Sequence, residues 1–255
     1  MLKDSQQRFT HRVSDYVKAR PSYPASLIDI LMQHCGLTTQ SWIGDIGSGT
    51  GLLAEVFLNN GNPVYGVEPN AAMRQAGESY LQRYEQFISV TGSAENTTLA
   101  DQSCDFVTAG QAFHWFDLVL TRTEFQRILK PQGWVALIWN VISQTDAGFY
   151  GEYENLFQHY GTDESGRKNK HVDVDKIQGF FLGQPVQQIT FAHPCELNLS
   201  DFQSRVFSSS FAPEPDSQNY LKMLHTVKAL FQKHQKQDIL VMPYETRIYL
   251  GNLSE

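Results

Sequence analysis

The sequence WIGDIGSGTG, residues 42–51, decides the fold of this 255-residue chain. Its first five residues form a short, mostly apolar run that predicts a buried strand, and a helical pattern begins directly after its last residue. Gly47, Gly49 and Gly51 let the backbone between them turn tightly and approach a ligand closely, because glycine has no side chain. The stretch therefore predicts a strand, a ligand-binding loop and a helix.

Short apolar runs alternate with helical patterns along the first 140 residues. The predicted strands are 42–46, 64–68, 87–91, 106–110 and 134–140, and the predicted helices between them are 52–59, 71–84 and 118–129. Strands separated by helical stretches of about 10 to 15 residues are typical of parallel βαβ units. We therefore expect an α/β fold with a doubly wound, Rossmann-like sheet.

Other patterns flank this core. Helices are predicted over 6–19, 25–34, 200–207 and 216–232, a turn over 130–133, and strands over 186–191 and 239–249. A polar stretch with five aromatic residues, 146–176, predicts an amphipathic helix in an insertion or cap. We expect a single domain in four parts: an N-terminal helical cap (1–36), a core (37–140), a helical insertion (146–180) and a C-terminal part that completes the sheet and a pocket (186–255).

Composition excludes several classes of protein. The net charge of -7 disfavours nucleic acid as a partner. The three cysteines are far apart and odd in number, which is typical of a reducing compartment and gives no metal-ligand spacing, so we expect no metal. The longest apolar run, 134–139, is too short for a membrane span, and a cytoplasmic location is expected. The aromatic content of 12% is high. The sequence makes no prediction of the oligomeric state.

A carboxylate follows the glycine loop at an informative distance. Glu68 ends the next predicted strand, 23 positions after Asp45, where a carboxylate can accept hydrogen bonds from both hydroxyls of a ribose. Loop and carboxylate together predict a nucleoside cofactor. A tight strand-helix turn without a ligand is the alternative.

The details of the loop favour one cofactor. Leu52 stands where a dinucleotide fingerprint requires glycine or alanine, and no lysine follows the glycines as in a phosphate-binding loop. Asp45 would repel a pyrophosphate but suits an ammonium group. S-adenosylmethionine has an ammonium, a sulfonium and a ribose but no phosphate. A nicotinamide-dependent oxidoreductase and a non-enzymatic protein that retains the cradle are the alternatives.

These motifs resemble the class I S-adenosylmethionine-dependent methyltransferases, and among them the methyltransferase type 11 domain. The resemblance implies a seven-stranded sheet, mostly parallel with an antiparallel last strand, and a helical cap or insertion. It also implies a set of cofactor-binding residues: Asp45, Gly47, Ser48 and Gly49 in the first motif, Glu68, Pro69 and Met73 at the ribose, and Ser93, Ala94 and Glu95 along the adenine. Ser48 replaces a more usual cysteine, which changes little because the backbone makes the contacts. Ser93 replaces a frequent aspartate that meets the adenine amino group, so this contact is left open.

The segment after the fourth strand resembles the branch that includes the trans-aconitate methyltransferases. Backbone groups of Gln111 and Ala112 are implied to hold the methionine end of the cofactor. His114, Trp115 and Phe116 are implied to line the substrate pocket, with His114 as a general base or as a hydrogen-bond donor to a carboxylate. Packing of His114 beside Trp115 is the alternative.

An N-terminal cap completes the implied site. Tyr16 and Arg20 resemble cap residues of this branch, and an aromatic face can attract a sulfonium while an arginine can bind a carboxylate. Methyl transfer from a sulfonium is an in-line displacement that alignment and exclusion of water can accelerate. The fourth strand lacks the Asn/Asp-Pro-Pro-aromatic motif of enzymes that methylate nucleic acid bases or amides. The sequence therefore predicts a methyltransferase for a small molecule, with a carboxylic acid, a hydroxyl and an amine as the alternative acceptors.

Overall fold

The computed structural model describes residues 21–162, 173–209 and 212–253. The helix predicted over 6–19, which contains Tyr16, lies outside the described residues, and so does Arg20.

Nine strands are present among the described residues. They are β1 (Ile43–Ile46), β2 (Val64–Val67), β3 (Phe87–Val90), β4 (Cys104–Gly110), β5 (Leu129–Ile142), β6 (Gln187–Ala192), β7 (Cys195–Leu197), β8 (Leu240–Met242) and β9 (Tyr244–Gly251). Seven of them form one sheet in the order β3-β2-β1-β4-β5-β9-β6. The five neighbouring strands β3, β2, β1, β4 and β5 all run parallel, and β9 runs antiparallel to both of its neighbours, β5 and β6. The predicted doubly wound sheet with an antiparallel last strand is confirmed.

Eight α-helices connect or cover the strands in the described part of the chain. They are α1 (Ser26–Cys35), α2 (Leu52–Asn59), α3 (Ala71–Leu81), α4 (Leu118–Ile128), α5 (Ala147–Tyr160), α6 (Val174–Phe180), α7 (Leu199–Phe207) and α8 (Gln218–His234). None of the helices among these residues is long and apolar enough to cross a membrane.

Two apolar clusters cover the two faces of the sheet. One cluster includes Phe125 of α4 and Trp139 of β5, and the other includes Leu27 of α1 and Phe57 of α2. All four residues of β1 are buried, as expected for a central strand covered on both faces. This packing fixes the carboxyl end of β1, where the glycine loop begins.

A third apolar cluster forms a cap. It joins α5, α7 and α8 to the small antiparallel sheet of β7 and β8 through buried side chains such as Tyr153, Phe202 and Phe231. The stretch predicted as one insertion, 146–180, is divided between two clusters: α5 belongs to the cap, whereas Ile177 and Phe180 of α6 pack on the main sheet. Sequence periodicity could not reveal this division, because both helices present apolar residues at helical spacing.

Two details of the predicted strands are wrong. The strand predicted over 239–249 is two strands, β8 and β9, interrupted at Pro243. Proline has no N–H to donate to a ladder, and the carbonyl of Pro243 accepts a hydrogen bond from the N–H of Ser143 at 2.6 Å. The turn predicted over 130–133 lies within β5, where the register with β4 shifts between Cys104 and Phe106.

A buried carboxylate on α4 holds the loop that follows β3. Glu124 accepts hydrogen bonds from the N–H of Thr97 at 2.7 Å and from Nε and Nη2 of Arg127 at 2.9 and 2.7 Å. Burial raises the pKa of Glu124, but its hydrogen bonds to Arg127 and Thr97 outweigh burial and hold the pKa below its usual value. The carboxylate therefore stabilises the fold at neutral pH, and this contribution is lost as the pH falls below about 4.5.

We expect Glu124→Gln to lower the free energy of unfolding by about 1–3 kcal/mol at pH 7, because a buried charged acceptor is lost and a donor then faces Arg127. Urea denaturation measures the change. Asp101→Asn is the matched control, because Asp101 pairs with the same arginine but is 76% exposed, and we expect a change within about 0.5 kcal/mol. Equal effects of the two substitutions would contradict the role of the buried carboxylate.

Candidate cofactor and acceptor site

A cavity of about 240 Å³ opens at the carboxyl ends of β1, β4 and β5. In a doubly wound sheet this is the edge where ligands bind. Its wall combines the glycine loop, the ends of β4 and β5, and the cap. The lining residues include Tyr23, Asp45, Gly47, Ser48, Gly49, Gln111, Asn140, Tyr150, Tyr153, Glu154, Phe157, Arg205, Tyr244 and Arg247.

The glycine loop adopts a backbone that side chains would block. Gly47 has a φ of 70°, and a Cβ atom there would lie 2.7 Å from the Cβ atom of Ala112. The N–H groups of Gly47 and Ser48 both donate to the carbonyl of Val67, at 2.9 and 3.1 Å. The loop is therefore held against the end of β2 while it touches the segment after β4.

Glu68 joins the end of β2 to this loop. Its side chain accepts hydrogen bonds from the N–H of Gly49 at 2.9 Å and from the N–H of Asn70 at 2.8 Å, one on each carboxylate oxygen. Burial raises the pKa of Glu68, whereas the hydrogen bonds from Asn70 and Gly49 lower it. A carboxylate offers about four lone-pair sites, so each oxygen keeps capacity for a hydroxyl donor.

Asp45 presents a buried carboxylate to the cavity. It is 1% exposed, and its Oδ1 accepts a hydrogen bond from the hydroxyl of Thr108 at 3.1 Å. Oδ2 is buried and accepts no hydrogen bond from the described residues, although the backbone N–H of Ala54 is close enough to lower the pKa slightly. Burial, helped by the charge of Glu68 and opposed by Thr108 and Ala54, raises the pKa of Asp45 to about 7. A cation in the cavity would compensate this buried group.

Glu68 and the other residues predicted along the ribose and the adenine are not among the residues that line the cavity. Met73 is buried, and its methyl group would lie 3.4 Å from a Cβ atom at Gly49. Pro69 is exposed, and Ala94 is buried. The N–H of Ser93 donates to the carbonyl of Asn96 at 3.0 Å, and Glu95 accepts from the N–H of Asp117 at 3.1 Å. Their cofactor contacts stay predictions.

Gln111 closes the floor of the cavity with a strained backbone. Its φ of 56° is unusual for a residue other than glycine. The strain is compensated by two hydrogen bonds to β5: the N–H donates to the carbonyl of Ile138 at 2.9 Å and Nε2 donates to the carbonyl of Asn140 at 2.6 Å. Such strained positions are common at functional sites.

The turn predicted to line the substrate pocket lies outside the wall of this cavity. Phe113–Trp115 form a 3-10 helix; the ring of Phe113 is buried in the main core, and Trp115 is 44% exposed. His114 lies beside Trp115, with ring centroids 4.8 Å apart. Nζ of Lys176, on α6, donates to the carbonyl of His114 at 3.1 Å and holds the turn in place. The substrate roles of His114, Trp115 and Phe116 stay predictions.

The cap supplies the wall that faces the glycine loop. Three aromatic residues of the predicted insertion line the cavity, Tyr150, Tyr153 and Phe157, as does Tyr23 of the predicted N-terminal cap. Sequence reasoning missed three charged residues that line the cavity, Glu154 of α5, Arg205 of α7 and Arg247 of β9. An isolated arginine in a helix or strand carries no local signal for a pocket, because its position depends on how the cap folds over the sheet.

Comparison with known proteins agrees with this geometry. Residues 44–137 match the family described as methyltransferase domain. An uncharacterized methyltransferase of Mycobacterium tuberculosis is 33% identical over 138 residues, which cover 54% of each chain. A protein assigned as an S-adenosylmethionine-dependent methyltransferase in Saccharomyces cerevisiae is 30% identical over 166 residues, which cover 63% of this chain and 56% of the relative. The chain thus spans about half the length of these curated relatives.

A solved structure extends the likeness to the whole fold. The structure of a protein from Anabaena variabilis, assigned as a methyltransferase from an antibiotic biosynthesis pathway, covers 92% of this chain and 99% of its own, with a TM-score of 0.66 and 21% identity. At this identity the likeness shows the fold. The family match indicates a methyltransferase domain over residues 44–137, for which S-adenosylmethionine is the implied cofactor. The narrower resemblance to trans-aconitate methyltransferases stays a prediction.

The buried carboxylate of Asp45 predicts a pH-dependent stability. Its pKa is about 7 in the folded chain and near 3.8 when unfolded, so the folded state binds the proton more tightly and its stability falls as the pH rises from about 4 to about 7. Asp45→Asn cannot titrate, and we expect the variant to lack this decline and to be at least as stable as the wild type at pH 8. Urea denaturation of the ligand-free proteins at pH 5, 6, 7 and 8 measures both profiles. Parallel profiles would contradict the assignment.

Proposed function

We propose that this chain is an S-adenosylmethionine-dependent methyltransferase that acts on a small molecule, with carboxylic acids as the leading class of acceptor. The observation that carries the proposal is the buried carboxylate of Asp45, whose Oδ2 accepts no hydrogen bond from the described residues and which borders both the glycine loop and the cavity. A cation in the cavity would compensate the buried charge of this carboxylate, and the ammonium group of the cofactor is such a cation.

The residues around the loop fit the rest of the cofactor. Asp45 would bind the ammonium group and Glu68 the ribose hydroxyls, and the backbone of Gly47 and Gly49 borders the cavity that would hold the molecule. Bound S-adenosylmethionine supplies a methyl group activated by a positive sulfonium. The chain itself needs to align the acceptor with that methyl group and to exclude water.

The cap supports a small acceptor. The rings of Tyr150, Tyr153 and Phe157 line the side of the cavity formed by α5, so an acceptor has to fit between the cap and the glycine loop. The net charge of -7 also argues against a polyanion such as RNA or DNA. A carboxylate acceptor is ionised at pH 7 and needs no general base, which agrees with a cavity wall that lacks His114.

The test is a search for the methylated product. The protein is incubated with isotope-labelled S-adenosylmethionine and a metabolite extract, and mass spectrometry identifies the compound that gains one labelled methyl group. We expect one or a few small acids to be labelled. Cofactor binding without transfer to any acceptor would contradict the proposal in favour of a binding protein, and stabilisation by NAD alone would contradict the cofactor.

Glu68→Ala tests the cofactor site. The variant loses the acceptor for the ribose hydroxyls and the contact that holds Gly49, so we expect the Kd for S-adenosylhomocysteine to rise at least about tenfold. Isothermal titration calorimetry measures the Kd. Glu78→Gln is the control, because Glu78 lies on the outer side of α3, where it contacts Arg74 and Ser89, and we expect no change. An unchanged Kd in Glu68→Ala would remove Glu68 from the site.

His114→Gln separates general-base catalysis from alignment. Loss of a general base lowers the rate by about 10²–10⁴-fold. Because His114 lies outside the cavity wall and a carboxylate needs no base, we expect kcat to fall less than about tenfold, with an unchanged Kd for S-adenosylhomocysteine. Steady-state kinetics with the acceptor found in the extract measure kcat. A loss of a hundredfold or more would instead identify His114 as the base.

A further inference from the structure

Arg205 is a buried arginine in the wall of the cavity. It lies on α7, between the buried side chains of Phe202 and Val206, and it is 8% exposed. A guanidinium stays protonated throughout the physiological pH range. The cap therefore places a fixed positive charge beside the cavity, on a helix that also buries Phe202 and Val206.

The charge of Arg205 is not compensated by the part of the chain that the structure describes. Its Nε and Nη1 atoms are buried and make no hydrogen bond there, and no described carboxylate lies within 4.0 Å of it, including that of Glu154 in the same wall. Burial raises the pKa of the nearby Cys195 thiol more than the charge of Arg205 lowers it, so Cys195 is not a counter-ion. A buried charge without a hydrogen-bonded partner is strongly unfavourable.

The neighbours of Arg205 orient it without neutralising it. The guanidinium lies over the ring of Tyr244, with its central carbon 5.5 Å from the ring centroid. Arg247 in the same wall differs, because its Nε donates to the carboxylate of Glu245 at 2.7 Å and is therefore already paired. Of these two arginines, only Arg205 has buried guanidinium N–H groups that no described residue accepts.

We propose that Arg205 binds a carboxylate of a ligand in the cavity and selects for an anionic acceptor. The inference rests on the proposed function and names a specificity-determining residue for it. A carboxylate matches the planar donors of a guanidinium in two parallel hydrogen bonds. Because such an interaction withdraws electron density from the carboxylate, the bound group acts as an anchor, and the methyl group goes to a second carboxylate of the acceptor, which is ionised at pH 7 and needs no general base.

Two sources could supply that carboxylate, the acceptor and the methionine end of the cofactor. Arg205 belongs to the cap, whereas the carboxylate of Asp45 and the glycine loop belong to the core sheet. This separation favours the acceptor. A first titration distinguishes the sources: S-adenosylhomocysteine has the amino-acid carboxylate, and 5′-methylthioadenosine lacks it.

The experiment compares binding to the wild type and to Arg205→Met by calorimetry. We expect Arg205→Met to bind both nucleosides with Kd values within about twofold of the wild type. With S-adenosylhomocysteine at saturation, the protein is then titrated with 3-phenylpropionate and with straight-chain dicarboxylic acids of four to eight carbons, each against its uncharged amide. We expect the wild type to prefer at least one acid to its amide by about tenfold or more, and Arg205→Met to lose this preference.

Matched variants make the result specific. Arg247→Met removes a paired arginine from the same wall, and we expect it to retain the preference for the acid. Arg205→Lys keeps the charge without the planar donors, and we expect a partial loss. We also expect Arg205→Met to be as stable as the wild type in urea, because an apolar side chain replaces an uncompensated charge. If Arg205→Met does not fold, Arg205→Gln provides the same comparison.

Each contrary result has a distinct meaning. If S-adenosylhomocysteine does not bind the wild type, both the proposed function and this inference fail. If it binds, but no acid is preferred to its amide or the preference survives in Arg205→Met, the inference alone is overturned. Arg205→Met could instead raise the Kd for S-adenosylhomocysteine at least about tenfold and leave the Kd for 5′-methylthioadenosine unchanged. Arg205 then binds the cofactor carboxylate, and the acceptor assignment is overturned.

Discussion

The absence of side chains in the glycine loop is the constraint on which the site depends. A Cβ atom at Gly47 would collide with Ala112, and the φ of 70° at Gly47 excludes most other residues without strain. Because the loop can pass this close to the segment after β4, its N–H groups reach Val67 and the carboxylate of Glu68. The loop that follows β1 is thereby joined to the end of β2 and to the segment after β4.

The cavity also contains two buried charges of opposite sign on different structural layers. Asp45 belongs to the core sheet and Arg205 to the cap, and each has donor or acceptor atoms that the described residues leave without a hydrogen bond. Uncompensated charges lower the stability of the ligand-free chain. A ligand with a cationic part at the loop and an anionic part at the cap would compensate both, so the same groups that reduce stability supply affinity and specificity.

The sequence predicted the core more accurately than the cap. The helix over 52–59 was placed at its observed bounds, because the glycines mark its start and Asn60 and Gly61 its end. The strand predicted over 239–249 was wrong, because Pro243 interrupts it and the two halves join different sheets. A strand pattern indicates which residues are buried, and both halves contain buried apolar residues, so the pattern could not tell which strand each half would pair with.

By itself, the sequence determined the doubly wound sheet, the glycine loop, the acidic residue that follows it and the class of cofactor, because these depend on local spacing and on backbone freedom. Only the tertiary structure decided which side chains meet in the cavity. Arg205 lies far from Asp45 along the chain. Trp115 is exposed and Phe116 packs against the core, whereas three aromatic residues of α5 line the cavity. Their positions depend on how the cap packs on the sheet, and that packing arises from contacts between distant residues that no local pattern records.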